Sequence, residues 1–207
     1  MIPAAEALQR LRDGNTRFVA GEPTGDALTS PQRRRQLADG QEPIAAILGC
    51  SDSRVPAEIV FDQGLGDLFV IRVAGNIVAP SQVGSVEFAA EQLGVRLVVV
   101  LGHSRCGAIA ATLEQLQRPA EGQSPNLRSI VSRIRPSVEG LLRTDLRSDL
   151  PALAAEATRA NVRYAADHLR HGSEVLETLI RERGLVVVGA EYSVETGVVD
   201  FFDGVPA

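Results

Sequence analysis

Two cysteines and three histidines are the only thiol and imidazole side chains among these 207 residues, so each can be weighed singly. Cys50 closes an apolar run, PIAAILGC over 43–50, and His103 closes another, RLVVVLGH over 96–103, with Cys106 following in HSRC. In an open α/β sheet, sites assemble at the carboxyl ends of the strands, so two such strands would bring Cys50 to His103 and Cys106. Two thiolates and an imidazole form a donor set that favours zinc. Three protein ligands leave one tetrahedral position open, which suits a catalytic zinc rather than a structural one. Taken alone, H-x-x-C has little specificity and a buried thiol is common packing material, so packed cysteines are the competing reading. His168 and His171, in DHLRHG, read instead as exposed helix-end residues interacting with the helix dipole.

Four elements must position these groups. The runs 43–50, 67–75, 96–103 and 185–192 are continuous, β-branched and bounded by turn residues. Runs that are apolar on both faces suit a parallel sheet covered by helices on both sides. Helical segments are expected at 83–93, 107–117 and 151–183, the last stopped by Gly184. Residues 118–126, RPAEGQSPN, read as a polar loop after which helices resume. The closing EYSVETGVVDFF reads as a hairpin turning near Glu195-Thr196-Gly197, which adds an antiparallel edge strand. Upstream, residues 4–19 read as a helix with Ala5, Leu8, Leu11 and Phe18 along one face. The triplet Arg33–Arg35 reads as a solvated helix turn. The expected fold is therefore α/β, a mostly parallel central sheet flanked by helices. An N-terminal helical arm (1–38) precedes a core (43–207), and the whole of 1–207 forms one domain.

Composition narrows the function. With 44% hydrophobic and 23% charged residues the chain is globular, and a net charge of −5 argues against a nucleic-acid partner. All 21 basic residues are arginine, which excludes a Schiff-base lysine and a phosphate-loop lysine. No run is long enough to span a bilayer and the first residues lack a signal-like apolar core, so no membrane partner and a cytoplasmic location are expected. In that compartment Cys50 and Cys106 read as thiols or metal ligands, not as a disulfide. GCSDSR follows the first strand where a dinucleotide-binding fold would carry G-x-G-x-x-G.

The set CSDSR (50–54) with VPAE, IRVAGN (71–76) and GHSRCGAI (102–109) resembles the zinc-site motifs of the β-class carbonic anhydrases. The resemblance runs from GNTRFVAG in the arm to the terminal VVGAEYSVETGVVDFF strands. It implies one Zn2+ per chain on Cys50, His103 and Cys106, with Asp52 and Arg54 as the catalytic dyad. The implied reaction is hydration of carbon dioxide to bicarbonate by zinc-bound hydroxide. Asp52 would orient that nucleophile and Arg54 would hold Asp52 by a two-pronged, charge-assisted contact.

By the same resemblance Gln41 donates a hydrogen bond to the substrate, Phe69 and Phe88 form aromatic walls, and Gly107 lets the backbone approach the site. Gln41, Phe69 and Phe88 reach the zinc from a neighbouring subunit in the family, which implies a homo-oligomer, either a dimer or a dimer of dimers. Some bacterial members carry an inhibitory bicarbonate site built on a tryptophan and an arginine; here Ile47 stands at the first position and Arg72 at the second. The expectation is that this inhibitory site is absent and that Asp52 stays off the zinc near neutral and alkaline pH. Relatives that hydrolyse carbon disulfide or carbonyl sulfide share the ligands, and a non-catalytic zinc module is a further alternative.

Overall fold

The computed structural model describes residues 2–25, 29–118 and 124–206. Five strands form one sheet in the order β2-β1-β3-β4-β5. They are β1 (Ala45–Gly49), β2 (Leu68–Arg72), β3 (Leu97–His103), β4 (Val186–Tyr192) and β5 (Val199–Asp203). The first four run parallel, and β5 returns antiparallel along β4 with a bulge at Gly189/Ala190. The expected sheet and its antiparallel edge are both present.

Alternation along the strands divides the core between the two faces, as a two-residue period requires. Ala45, Ile47, Leu97, Val99 and Val188 pack against the helices α1 (Ala4–Ala20) and α3 (Ala57–Val60). Ala46, Leu48, Val98, Val100 and Val187 pack against α4 (Pro80–Glu91), α7 (Leu150–His171) and α8 (Glu174–Arg183). α7 comes close because β3 and β4 present glycine to it. A Cβ on Gly102 would lie 2.5 Å from a Val162 methyl, and one on Gly189 would lie 2.8 Å from the other. A third cluster wraps the carboxyl end of the sheet with α5 (Gly107–Gln117) and α6 (Pro125–Val138), and it contains both cysteines.

In α1 the buried face is Ala4, Ala7, Leu8 and Leu11, while Ala5 points to solvent, contrary to the sequence reading. Burying each of the two leucines contributes about 1.5–3 kcal/mol, enough to seat a helix that would be marginal in water alone. Asn15 completes the seating. Its Nδ2 donates to the carbonyls of Val60 (3.1 Å) and Gly197 (2.8 Å), and its Oδ1 accepts from the Val199 amide at 2.9 Å. The arm helix is thereby tied both to α3 and to the β4–β5 hairpin.

Three further expectations are corrected. The stretch 151–183 is two helices, broken at Gly172 and restarted by Ser173, which caps α8 and donates to Glu87 at 2.6 Å. The triplet Arg33–Arg35 does lie in a short helix, α2 (Pro31–Gln36), with Arg34 and Arg35 exposed, but Arg33 is half-buried and donates to Asp67 at 2.8 Å and to the Leu65 carbonyl at 3.1 Å. Ser124 and Pro125, read as loop, are the cap and first residue of α6, while 119–123 fall outside the described residues.

The hairpin is clamped from the other side by α7. Glu191 and Asp200 face each other across β4 and β5, an unfavourable pairing of like charges. Arg159 resolves it, donating to Asp200 at 2.9 Å and to Glu191 at 3.3 Å while its guanidinium lies 3.8 Å from the Phe202 ring centre. Burial nonetheless pushes the Glu191 carboxyl above its ordinary range.

Candidate metal centre

β1 and β3 are adjacent and parallel, with Gly49 opposite Leu101, so the chain leaves both strands on the same edge. Cys50 follows the first exit, while His103 ends β3 and Cys106 caps the start of α5. Their donor atoms lie within 4.8 Å of one another, and all three residues are buried. His103 Nδ1 is 2.9 Å from the Ser104 carbonyl. A carbonyl only accepts, so Nδ1 carries the proton and Nε2 presents its lone pair. That Nε2 is fully buried and has no hydrogen-bond partner. Leaving such an atom unsatisfied costs about 1–3 kcal/mol, a cost that a metal ion would remove. The donor set thus fits a tetrahedral zinc with one open position.

The two thiols divide unequally. A hydrogen bond from Cys106 and further contacts with His103 and the Gly75 amide outweigh burial and hold Cys50 down to about 4. The same contact, with burial, pushes Cys106 up, although backbone amides at the start of α5 oppose the rise. For His103, burial acts downward, but the Cys50 sulfur beside it outweighs burial and raises it. Gly75 is needed where it stands: it sits at φ 70°, its amide donates to Cys50 Sγ at 3.3 Å, and a Cβ would lie 2.8 Å from Ile134.

Asp52 and Arg54 form a two-pronged pair beside this cluster. Arg54 Nε donates to Oδ1 at 2.9 Å and Nη2 donates to Oδ2 at 2.7 Å, while the Arg54 amide also reaches Oδ1 at 3.0 Å. These bonds hold the Asp52 carboxyl far below the usual carboxylate range, against the opposing effect of burial. Asp52 Oδ2 lies 3.9 Å from His103 Nε2, so the carboxylate faces the ligand set.

The profile of the family described as carbonic anhydrase matches residues 45–199, the span that carries the four parallel strands and every residue of this cluster. The chain belongs to the β-carbonic anhydrase family. Its activity is accordingly the family's, the reversible hydration of carbon dioxide to bicarbonate and a proton. Carbonic anhydrase 2 of Mycobacterium tuberculosis is 40% identical over 198 residues, covering 92% of this chain and 89% of that protein. A crystal structure of a β-carbonic anhydrase from Aspergillus fumigatus superposes with a TM-score of 0.75 at 27% identity, over 98% of this chain and 91% of that one. One of two tetrameric β-carbonic anhydrases from Sordaria macrospora gives 0.74 at 25% identity, over 95% and 97%.

Within one carbonic anhydrase chain the anticipated wall residues do not gather at the ligands. Phe69 pairs with Ala46, near the amino end of β1, and Cys50 lies four residue steps farther along the chain, about 13 Å. Gln41 precedes β1 and is exposed. Phe88 is 50% exposed and stacks on Phe69 with ring centres 6.1 Å apart. Gly107 opens α5 directly after Cys106, and a Cβ there would meet no atom within 4 Å, so no close approach demands glycine at this position. Ile47 is fully buried inside β1. His168 and His171 are exposed at the end of α7, as the sequence indicates.

Two further contacts were not legible in the motifs. Arg72, expected only as the arginine of an inhibitory site, donates from Nε to the Cys50 carbonyl at 3.0 Å and from Nη2 to the Asp52 carbonyl at 2.7 Å, which fixes the loop that carries Cys50, Asp52 and Arg54. Glu195, legible only as a turn residue, accepts from Ser104 Oγ at 2.6 Å and pairs with Arg105, inside the segment between two ligands.

Proposed function

We propose that this carbonic anhydrase holds one zinc ion on Cys50 Sγ, His103 Nε2 and Cys106 Sγ, with Asp52 and Arg54 as its working pair. The observation that carries the reading is the buried, unpartnered His103 Nε2 set among two thiol sulfurs. Zinc bound there supplies a Lewis acid that acidifies a water molecule, less strongly than on three imidazoles because two thiolates cancel its formal charge.

The chain's own residues do the rest. Asp52, ionised across the working range, accepts a hydrogen bond at Oδ2 and so aims the nucleophile's lone pair at the substrate carbon. Arg54 keeps that carboxylate from moving to the metal, and Arg72 fixes the backbone beneath it. The active site is therefore of the open kind near neutral and alkaline pH. The inhibitory bicarbonate site is absent, since Ile47 replaces its aromatic residue and Arg72 is engaged with two carbonyls. Carbon dioxide needs apolar walls and one donor for its developing oxyanion. Gly107 leaves it room. A second copy of the chain supplies Phe69 and Phe88 as walls and Gln41 as donor, because within one chain these residues lie at the far end of the sheet.

The working unit is thus a homodimer or a dimer of dimers, the larger form matching the tetrameric Sordaria relatives. Residues 1–207 act as one domain, with 1–38 as the arm and 43–207 as the core, and the two reduced cysteines suit a cytoplasmic setting. Among the described residues no helix is long and apolar enough to cross a membrane. Stopped-flow carbon dioxide hydration from pH 6.5 to 9, on protein of measured zinc content, tests the reading. Activity rising with pH at one zinc per chain is expected; stoichiometric zinc with no hydration anywhere in that range would overturn it.

A further inference from the structure

The segment between His103 and Cys106 is held from outside the metal site. Arg105 has a φ of 55°, a left-handed conformation that a non-glycine residue adopts only when its surroundings impose it. Its side chain is 72% exposed, so core packing does not hold it. The contacts of this segment run to the β4–β5 hairpin. Glu195 Oε2 accepts from Ser104 Oγ at 2.6 Å, and Oε1 pairs with Arg105 Nε. Ser104 Oγ in turn accepts from the Val194 amide at 3.0 Å, and the Ser104 amide donates to the Tyr192 carbonyl at 2.9 Å. The hairpin is itself pinned by Asn15 of α1 and by Arg159 of α7.

In this conformation the Arg105 carbonyl accepts from Arg54 Nη2 at 3.3 Å. The same Nη2 holds Asp52 Oδ2, so the carbonyl is a second anchor for the guanidinium that restrains Asp52. Arg54 is half exposed, and only these contacts fix its head group among the described residues. Two of the candidate ligands have separate supports, Cys106 on α5 and Cys50 on Gly75 and Arg72, while His103 is seated in β3 and its Nδ1 also meets the Ser104 carbonyl.

We propose that Glu195 is a positioning residue for carbon dioxide hydration: it clasps Ser104 and Arg105 so that the Arg105 carbonyl anchors Arg54, which then keeps Asp52 off the metal. The proposal deepens the reading of the Asp52–Arg54 pair and rests on it. It predicts that losing Glu195 leaves the metal in place and frees Asp52 to compete for the open coordination position.

The test uses the full chain loaded with zinc or with cobalt, carrying Glu195→Ala or Glu195→Gln, each also in an Asp52→Asn background. Glu195→Ala is expected to keep one metal per chain, to lower kcat about tenfold with KM changed less than twofold, and to alter the visible spectrum of the cobalt form at pH 8. Glu195→Gln, which retains an acceptor for Ser104, should recover part of the rate and show a smaller spectral change. In the Asp52→Asn background Glu195→Ala should change neither the spectrum nor the remaining rate by more than twofold.

Wild-type kcat and spectrum in Glu195→Ala would overturn the proposal. So would a loss that merely tracks lost metal, or an undiminished effect without Asp52. If Glu195→Ala fails to fold, Glu195→Gln decides, and a wild-type spectrum and rate there overturn it. Full activity in Asp52→Asn alone would instead sink the dyad reading, a result distinguishable from a silent Glu195 beside an impaired Asp52→Asn.

Discussion

At the carboxyl end of the sheet the polar atoms around Cys50, Asp52, Arg54 and Ser104 find partners within the chain, with His103 Nε2 and Asn76 Nδ2 as the buried exceptions among the described residues. At the amino end the balance is reversed. Phe88 stands half exposed on Phe69, Gln41 faces solvent, and β2 is an outer strand of the sheet. One end gathers the donor atoms that fit a metal; the other presents an exposed aromatic pair. On the proposed reading the chemistry of this carbonic anhydrase is encoded inside one chain, whereas the walls of its substrate pocket come from two.

The largest effect is expected where the comparison is sharpest. Cys106→Ser removes a thiolate from the self-contained end, and hydration should fall on the order of 1000-fold or more together with bound zinc. Metal analysis alongside stopped-flow rates checks this. A variant that keeps both would show that the cysteines are packing, not ligands. Next, Phe88→Arg attacks the incomplete end. The dimer dissociation constant should rise about 30-fold or more by sedimentation, and activity should fall on dilution as dimers separate. A fully active monomer would erase the proposed division between the two ends.

The smallest effect concerns neither end but the seating of the arm. Asp62 is buried and accepts from Arg17 Nε at 2.6 Å and from the Thr24 amide at 3.0 Å. Burial alone would raise its carboxyl, but the Thr24 and Arg17 bonds prevail and lower it. A carboxyl lowered by folding stabilises the native state above its unfolded pKa of about 4, and that stabilisation is lost as pH falls through the folded value. Asp62→Asn should therefore cost about 2 kcal/mol in urea unfolding at pH 7, with the gap to wild type closing below about pH 4. A gap independent of pH would assign the loss to shape rather than charge.

What could be read from the sequence follows from how local each signal is. Runs apolar on both faces announced β1, β2, β3 and β4, and strand ends placed Cys50 beside His103 and Cys106 without any long-range information. Gly184 marked the end of α8 because a left-handed cap, here at φ 68°, is a local demand for glycine. The two-helix break at Gly172 was masked by a long amphipathic pattern that Ser173 interrupts only through its cap and its bond to Glu87. The contacts of Arg33, Arg72, Asn15 and Glu195 were not legible because their partners lie far along the chain, as with Asn15 and Gly197. A polar side chain reaching a distant backbone leaves no periodic trace. The left-handed Arg105 was equally silent, since arginine carries no preference for that conformation.

Zinc X-ray absorption on the loaded protein at pH 8 reads out whether a catalytic zinc is held by two sulfurs and one imidazole. The expected shell is two sulfurs at about 2.3 Å and two nitrogen or oxygen atoms at about 2.0–2.1 Å, at one zinc per chain. A shell with fewer than two sulfurs, or protein that takes up no stoichiometric zinc, would contradict it.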